Sequence, residues 1–475
     1  MVKKSSLWFS AVLIGVFWFT RLIGIEVFPP FLDEVQHVRE AQQAFLGHPL
    51  AHVGEGRLFS IWWLTAFQPY LGETVWITRT ATLLAVMVGF AAILGIGQLA
   101  AGKWGIILAG LVYLFSLYHT FFERLALADP VSGAAISVAL YFAFRLSRRV
   151  SYRDAILTGI ALSIAIGSKA TTLPYVGIPI AAGLALWTEK RTRQENARWV
   201  MIALGTEIIL IGLYFVVLTV LRQNPFGFIG LYSSQTTEPI LSRTLTNLGR
   251  TMNLGWAYLG VFFLILLLAS LLIRWRHKWF FLTCLFAPAL VLWMNERYFS
   301  RYYTSTVLIL LLSGALALAK LVEMKRMRVF ALVVLVMGVY WLGFTMTANT
   351  VPANLPLWSS DYAEYIQSDA SGFGIREAKQ ILIQHGASQV IGALSNCDGL
   401  YYVSLEAFTV ICPRINPNGT SVGSIADLIN RSRSAGTYVV LEDSPYVPAS
   451  APGQLIATIL RPQNGSELRI YDLSP

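Results

Sequence analysis

The segment that decides the fold is FPPFLDEVQHVREAQQAFLGHPL, residues 28–50, which follows the first long apolar run and carries the adjacent acids Asp33 and Glu34. After Asp33, apolar residues recur at about helical spacing, and Gly47 and Pro49 end the pattern. This predicts a short amphipathic helix lying in the plane of a membrane interface. Neighbouring carboxylates at a membrane face cost free energy, so they indicate a function.

The composition places this segment in a polytopic α-helical membrane protein. Of the 475 residues, 55% are hydrophobic and only 13% are charged, and the mean hydropathy is +0.59. No water-soluble fold of this size has such a composition. The net charge of +10 resides mostly in short basic clusters between apolar runs, as orientation signals do. A basic surface with interleaved aromatic residues is missing, which excludes a nucleic-acid partner.

Eleven apolar runs are predicted to be transmembrane spans. They cover roughly residues 7–25, 74–101, 104–121, 131–144, 155–168, 173–187, 199–221, 255–273, 279–294, 304–319 and 329–347. The first run lacks a small-residue cleavage site, so we expect it to be retained. The basic clusters then fall on one side, which predicts a plasma-membrane protein with a cytoplasmic N-terminus and an extracytoplasmic C-terminal region. Residues 155–187 must hold two crossings for this topology.

The composition changes abruptly after residue 347. We therefore predict a membrane domain over residues 1–347, with an outer loop at 26–73, and a small soluble extracytoplasmic α/β domain over 348–475. Its predicted helices are 375–385 and 424–434, and its predicted strands are 389–394, 408–412, 437–442, 454–460 and 468–473. Cys397 and Cys412 fall in this domain and are either a disulfide or two unpaired buried thiols.

Two acids have a structural and a functional interpretation. Asp33, followed by Gln36, suits a helix N-cap with a capping-box partner, but also a catalytic carboxylate. Asp129, in ERLALADPV, precedes Pro130 and suits an N-cap too, or a second acid in the same cavity. The residues alone leave both alternatives open.

The cations on the predicted outer side have similar alternatives. Lys169, in GSKATTLP, either snorkels to the interface or lines a cavity. Arg297 and Arg301, in NERYFSRYYTS, suit phosphate recognition. His37, together with His48 and His52, could bind a divalent metal, but the spacing fits no established ligand pattern and solvated loop histidines are the commoner case. Three cysteines with no CxxC argue against a thiolate metal site.

In order along the chain, these features resemble the membrane-embedded GT-C glycosyltransferases, in the branch of protein O-mannosyltransferases, lipid A aminoarabinose transferases and RgtA/B/C/D-like enzymes. The resemblance covers about residues 1–320. It rests on LDEVQHVREAQQ, LFSIWWLTAFQPYLGETVWITRT, ERLALADP, LTGIALSIAIGSKATTLP and ERYFSRYYTSTVLILLL. No WWD-type motif is present, which excludes an oligosaccharyltransferase, and no proline-rich motif follows Arg297, unlike many relatives.

The resemblance implies a sugar donor on a polyprenyl phosphate and a glycan, lipid or protein acceptor. Asp33 would be the catalytic base, supported by Glu34, and Asp129 would orient the acceptor. The phosphate would be bound by Lys169, Arg297, Arg301 and Arg222. A divalent metal is a candidate cofactor, with Asp33, Asp129 and His37 as candidate ligands. A transporter or flippase of a lipid-linked sugar, and a polysaccharide polymerase or ligase, are the alternatives.

Overall fold

The chain forms two compact units. The computed structural model describes residues 4–50, 56–68, 75–149, 151–187, 193–223, 238–275, 277–323, 327–413, 422–445 and 447–474. The helical unit comprises Met1–Ile23, Glu40–Phe67 and Arg79–Met346. The sheet unit comprises Gly24–Arg39, Gln68–Thr78 and Thr347–Pro475. Residues 26–39, predicted to belong to the outer loop of the membrane domain, thus pack with the C-terminal region.

Apolar helices dominate the chain up to residue 350. They are α1 (Lys4–Leu22), α2 (Leu32–Phe45), α3 (Leu58–Thr65), α4 (Val75–Leu114), α5 (Leu117–Phe122), α6 (Ala128–Arg148), α7 (Tyr152–Ser168), α8 (Ile178–Trp187), α9 (Arg193–Val220), α10 (Ile240–Leu259), α11 (Val261–Leu272), α12 (Lys278–Trp293), α13 (Thr304–Glu323) and α14 (Met327–Thr350). Short 3₁₀ turns at Ala170–Gly177 and Ser300–Tyr303 precede α8 and α13.

Several of these helices are long and apolar enough to span a membrane. Within the described residues they lie at Val75–Leu114, Ala128–Arg148, Ala197–Val220 and Ser300–Val322, and shorter apolar helices lie at Leu7–Leu22, Ala170–Leu184 and Lys278–Trp293. The predicted polytopic helical class is confirmed, and the count of eleven spans stays a prediction. In α4, non-helical Ala101 and Gly102 (φ +57°) divide the helix between the runs predicted at 74–101 and 104–121. Glycine tolerates this positive φ without steric cost.

The run predicted as one span over residues 255–273 is not one straight helix. Helices α10 and α11 are bent by 115° at Gly260, whose φ is +55°. Residues 240–254, which precede this run, are helical and continue to this bend. The error arose because apolar content alone does not reveal a glycine that leaves the helical region.

The sheet unit contains the predicted small α/β domain. Its strands are β1 (Gln389–Ala393), β2 (Thr409–Ile411), β3 (Thr437–Glu442), β4 (Gln454–Leu460) and β5 (Glu467–Asp472), in the order β2-β1-β3-β5-β4. Strand β1 pairs in parallel with β2 and β3, whereas β5 pairs in antiparallel with β3 and β4. Its helices after α14 are α15 (Ser359–Tyr362), α16 (Ile375–Gln384), α17 (Cys397–Ser404) and α18 (Val422–Arg431), and a π-helical turn at Ala363–Gln367 follows α15. The small C-terminal α/β domain is therefore confirmed, with α17 as an addition.

A disulfide and a buried ion pair stabilise the sheet unit. Cys397 and Cys412 are disulfide-bonded, with Cα atoms 5.6 Å apart, so one of the two predicted alternatives holds. The bond joins the start of α17 to the residue after β2. Glu442 and Arg461 pair at 2.8 Å, and both side chains are fully buried. Burial raises the pKa of Glu442, and the Arg461 guanidinium opposes this shift.

Candidate functional site

The first turn of α2 separates the roles of its two acids. The helix begins at Leu32, and the backbone N–H of Phe31 donates to Glu34 Oε2 at 2.9 Å. Glu34 therefore makes the capping contact that the sequence assigned to Asp33 and Gln36. The N-cap interpretation of Asp33 is wrong because this residue lies inside the helix. Asp33 is half-buried in the first turn of the helix.

Contacts within the sheet unit hold the segment that carries Asp33. Asn396 Nδ2 donates to the carbonyl of Pro30 at 2.9 Å, and the Leu32 N–H donates to the carbonyl of Ala370 at 3.0 Å. Asn396 is itself the N-cap of α17. Its side chain therefore hydrogen-bonds both to its own helix and to the backbone just before α2.

Helix α17 also contacts α2 directly. Arg39 Nη1 lies 2.6 Å from Asp398 Oδ2. Val35 and Val38, both buried, pack against Tyr402. The C-terminal region therefore fixes the backbone on which Asp33 is presented.

Two of the three histidines near the acids lie in the described residues, and they differ in exposure. His37 is 2% exposed on α2, which contradicts its interpretation as a solvated loop histidine, and His48 is exposed. His52 lies outside the described residues. Among the described residues, no three His, Cys, Asp or Glu side chains come together. Asp33, Asp129 and His37 are thus not part of a metal-binding group in the described chain.

In the helical unit, Asp129 and Lys169 form an ion pair. Lys169 Nζ lies 3.3 Å from Asp129 Oδ2, and the two side chains are 13% and 4% exposed. Helix α6 begins at Ala128 after Leu127, so the N-cap interpretation of Asp129 is wrong. Lys169 connects α7 to the following 3₁₀ turn and does not snorkel to solvent. The sequence identified both residues but not their contact.

Aromatic and charged groups surround this ion pair. Lys169 Nζ lies 5.3 Å from the centroid of the Tyr302 ring, a cation–π distance. Arg301, directly before Tyr302, is 7% exposed, and its guanidinium lies 5.0 Å from the Phe299 ring centroid. Arg297 and Arg222 are both exposed, and Arg222 follows α9 with a φ of +55°. Of the predicted phosphate ligands, Arg301 is therefore buried and Lys169 is half-buried, and the other two are exposed.

A second ion pair lies near Lys169, and the sequence patterns did not predict it. Arg57 Nη2 lies 2.7 Å from Glu40 Oε1, whose side chain is fully buried. Helix α3, which follows Arg57, packs against the end of α7, where Ser60 Oγ donates to the carbonyl of Ser168 at 3.3 Å. Arg57 is a cation on the predicted outer side, where few are expected, so the argument used for Lys169 applied to it as well.

Solved structures share the fold over nearly the whole chain, although no protein-family model and no curated protein matches the sequence. The crystal structure of ArnT from Cupriavidus metallidurans in the apo state matches with a TM-score of 0.65 at 14% identity, covering 99% of this chain and 98% of that chain. The same ArnT bound to undecaprenyl phosphate matches with a TM-score of 0.62, also at 14% identity and with the same coverage. The chain has the GT-C fold.

An archaeal GT-C protein is similar as well. The Archaeoglobus fulgidus oligosaccharyltransferase in complex with Zn and sulfate matches with a TM-score of 0.51 at 12% identity, covering 90% of this chain and 68% of that chain. The predicted GT-C resemblance is confirmed at the level of fold. At these identities the likeness concerns the fold alone, and the site residues of this chain rest on their own geometry.

Proposed function

We propose that this GT-C protein is a glycosyltransferase that moves a sugar from a polyprenyl-phosphate carrier to an acceptor hydroxyl on the extracytoplasmic side. The observation that carries the proposal is the full-length likeness to ArnT, a protein crystallised with undecaprenyl phosphate. The pairs Asp129–Lys169 and Glu40–Arg57 add support, because ionisable groups inside a membrane fold line functional cavities. A protein, glycan or lipid acceptor is compatible with this chemistry.

Asp33 is the proposed general base. The acceptor hydroxyl is a poor nucleophile, and a carboxylate that takes its proton makes it a better one. The acceptor oxygen then bonds to the anomeric carbon while the bond from that carbon to the phosphate oxygen breaks, which inverts the anomeric centre. The 2.9 Å contact of Glu34 with the Phe31 N–H supports this role because it fixes the first turn of α2, on which Asp33 lies.

Lys169 is the proposed stabiliser of the leaving phosphate. Breaking the glycosidic bond leaves an additional negative charge on the lipid phosphate, and a preorganised cation lowers the free energy of that charge. Asp129 fixes the lysine by the 3.3 Å contact and thereby positions it. Arg301 and Arg57 are further candidate ligands, whereas exposed Arg297 and Arg222 rank below them.

The test follows sugar release from a labelled polyprenyl-phosphate donor by the purified protein. Asp33→Asn should lower the transfer rate by about 100-fold or more, as loss of a general base does. Glu377→Gln is the matched control because Glu377 is an exposed acid in the first turn of another helix. Full transfer by the Asp33 variant would refute the assignment of the base. Lipid translocation without sugar transfer would favour a flippase.

A further inference from the structure

A cavity with basic walls lies at the end of the helical unit remote from Asp129. It has a volume of about 500 Å³ and is lined by Ala100, Ala101, Arg148, Arg274, Trp275, His277, Leu316 and Lys320. Arg148 is in the last turn of α6 and Asp129 is in its first. At 1.5 Å per residue, this helix separates the two ends by about 30 Å, the thickness of a bilayer core.

The lining groups favour an anion. Arg148, Arg274 and Lys320 supply positive charge, His277 adds an imidazole, and no acid is among the lining residues that the structure describes. Trp275 contributes a buried indole Nε1–H that has no hydrogen-bond partner within the described chain. A buried donor without a partner costs free energy, which an acceptor atom of a ligand would recover.

The surroundings favour a lipid over a soluble anion. The cavity lies between the ends of membrane helices, and alanines together with Leu316 give it an apolar wall. Leu272 and Trp279, which flank residues 273–278 in sequence, are each 71% exposed. Exposed tryptophan beside basic residues is typical of the headgroup level of a membrane. Basic pockets between helices at this level bind anionic headgroups.

We propose that this cavity binds the phosphate headgroup of an anionic phospholipid. The cations contact the phosphate oxygens, the Trp275 indole donates to one of them, and an acyl chain leaves along the apolar wall. The site is separate from the ion pairs at the other end of α6 and does not depend on the proposed transferase activity.

The test measures lipid retention by native mass spectrometry of the full-length protein, from nanodiscs of phosphatidylcholine with or without phosphatidylglycerol. Wild type should retain phosphatidylglycerol preferentially. Arg274→Gln combined with Lys320→Gln should lower that preference by about 25-fold, since each cation near an anionic headgroup contributes about fivefold. Arg198→Gln is the control because Arg198 is a basic residue of the same predicted face and is absent from the lining.

A second variant guards against a folding defect. Trp275→Phe keeps a ring to stack on Phe281, whose centroid lies 5.4 Å away, and removes only the N–H donor. We expect it to lower the preference severalfold with an unchanged melting temperature. Equal retention of both lipids by wild type, or unchanged retention by both variants, would overturn the proposal. Displacement of phosphatidylglycerol by inorganic phosphate at equal concentration would identify a soluble anion as the ligand and also overturn it.

Discussion

Neutralising Asp129 and Lys169 separately and together should reveal whether their contributions to the transfer rate are coupled. At 3.3 Å and an effective dielectric constant of about 20, two unit charges attract by about 5 kcal/mol. Desolvation offsets most of this, so a coupling free energy of about 1–3 kcal/mol is expected from a double-mutant cycle. Lys169→Met should lower the turnover number by about 100- to 1000-fold, the usual cost of losing one electrostatic stabiliser.

The double variant Lys169→Met with Asp129→Asn distinguishes coupled from independent action of the two residues. In Lys169→Met the carboxylate of Asp129 is left uncompensated beside the proposed position of the phosphate, where it repels the leaving group. Adding Asp129→Asn should therefore leave the rate unchanged or raise it, although Asp129→Asn alone lowers the rate by displacing the lysine. Residues that act as a unit show this kind of non-additivity.

The assay is single-turnover sugar release from a labelled polyprenyl-phosphate donor, with the melting temperature as a check on folding. The Arg145–Asp154 pair, 3.4 Å apart at the other end of α6, is the matched control. Removing its exposed member as Arg145→Met should leave the transfer rate within about twofold, because this pair lies at the opposite end of α6 from Asp129. If Asp129→Asn lowered the rate equally in wild type and in Lys169→Met, the two residues would act independently. The proposed positioning role of Asp129 would then fail.

Three further predictions concern the sheet unit. Replacing Cys397 and Cys412 by Ser should destabilise it by about 3 kcal/mol, the chain-entropy expectation for a loop of 15 residues, as measured by chemical denaturation against the oxidised wild type; an unchanged midpoint would contradict this. Glu442→Gln should cost about 3–5 kcal/mol because Arg461 then keeps a buried, uncompensated charge, and a loss below 1 kcal/mol would show that the pair is dispensable. A cysteine at position 377 should react with a membrane-impermeant maleimide in intact cells, whereas reaction only after permeabilisation would reverse the predicted topology.

The sheet unit was the more predictable part because its signals are local. The strands at Thr437–Glu442 and Gln454–Leu460 have the predicted bounds, since short apolar runs between turn residues define them. Helix Cys397–Ser404 was missed because it is only eight residues long and contains a glycine. The disulfide could not be decided from spacing, since it depends on how that helix packs against the residue after β2.

The candidate site was predictable in its members but not in its contacts. Asp129 and Lys169 stood out because charges near membrane spans are rare, yet they are 40 positions apart and on different helices. Glu40 and Arg57 were missed as a pair for the same reason, since they lie on separate elements. Pairing between elements depends on tertiary packing, which a pattern within one segment does not encode.

The two acids that open α2 show how neighbouring residues of one type can differ in role. A helix start needs an acceptor for its N–H groups, and Glu34 meets that need from the third helical position. Asn396 anchors Pro30 from the C-terminal region, so two hydrogen bonds hold the backbone that leads into α2. The same local rule that offered a structural explanation for Asp33 therefore explains Glu34, and the role of Asp33 stays a prediction that the Asp33→Asn variant tests.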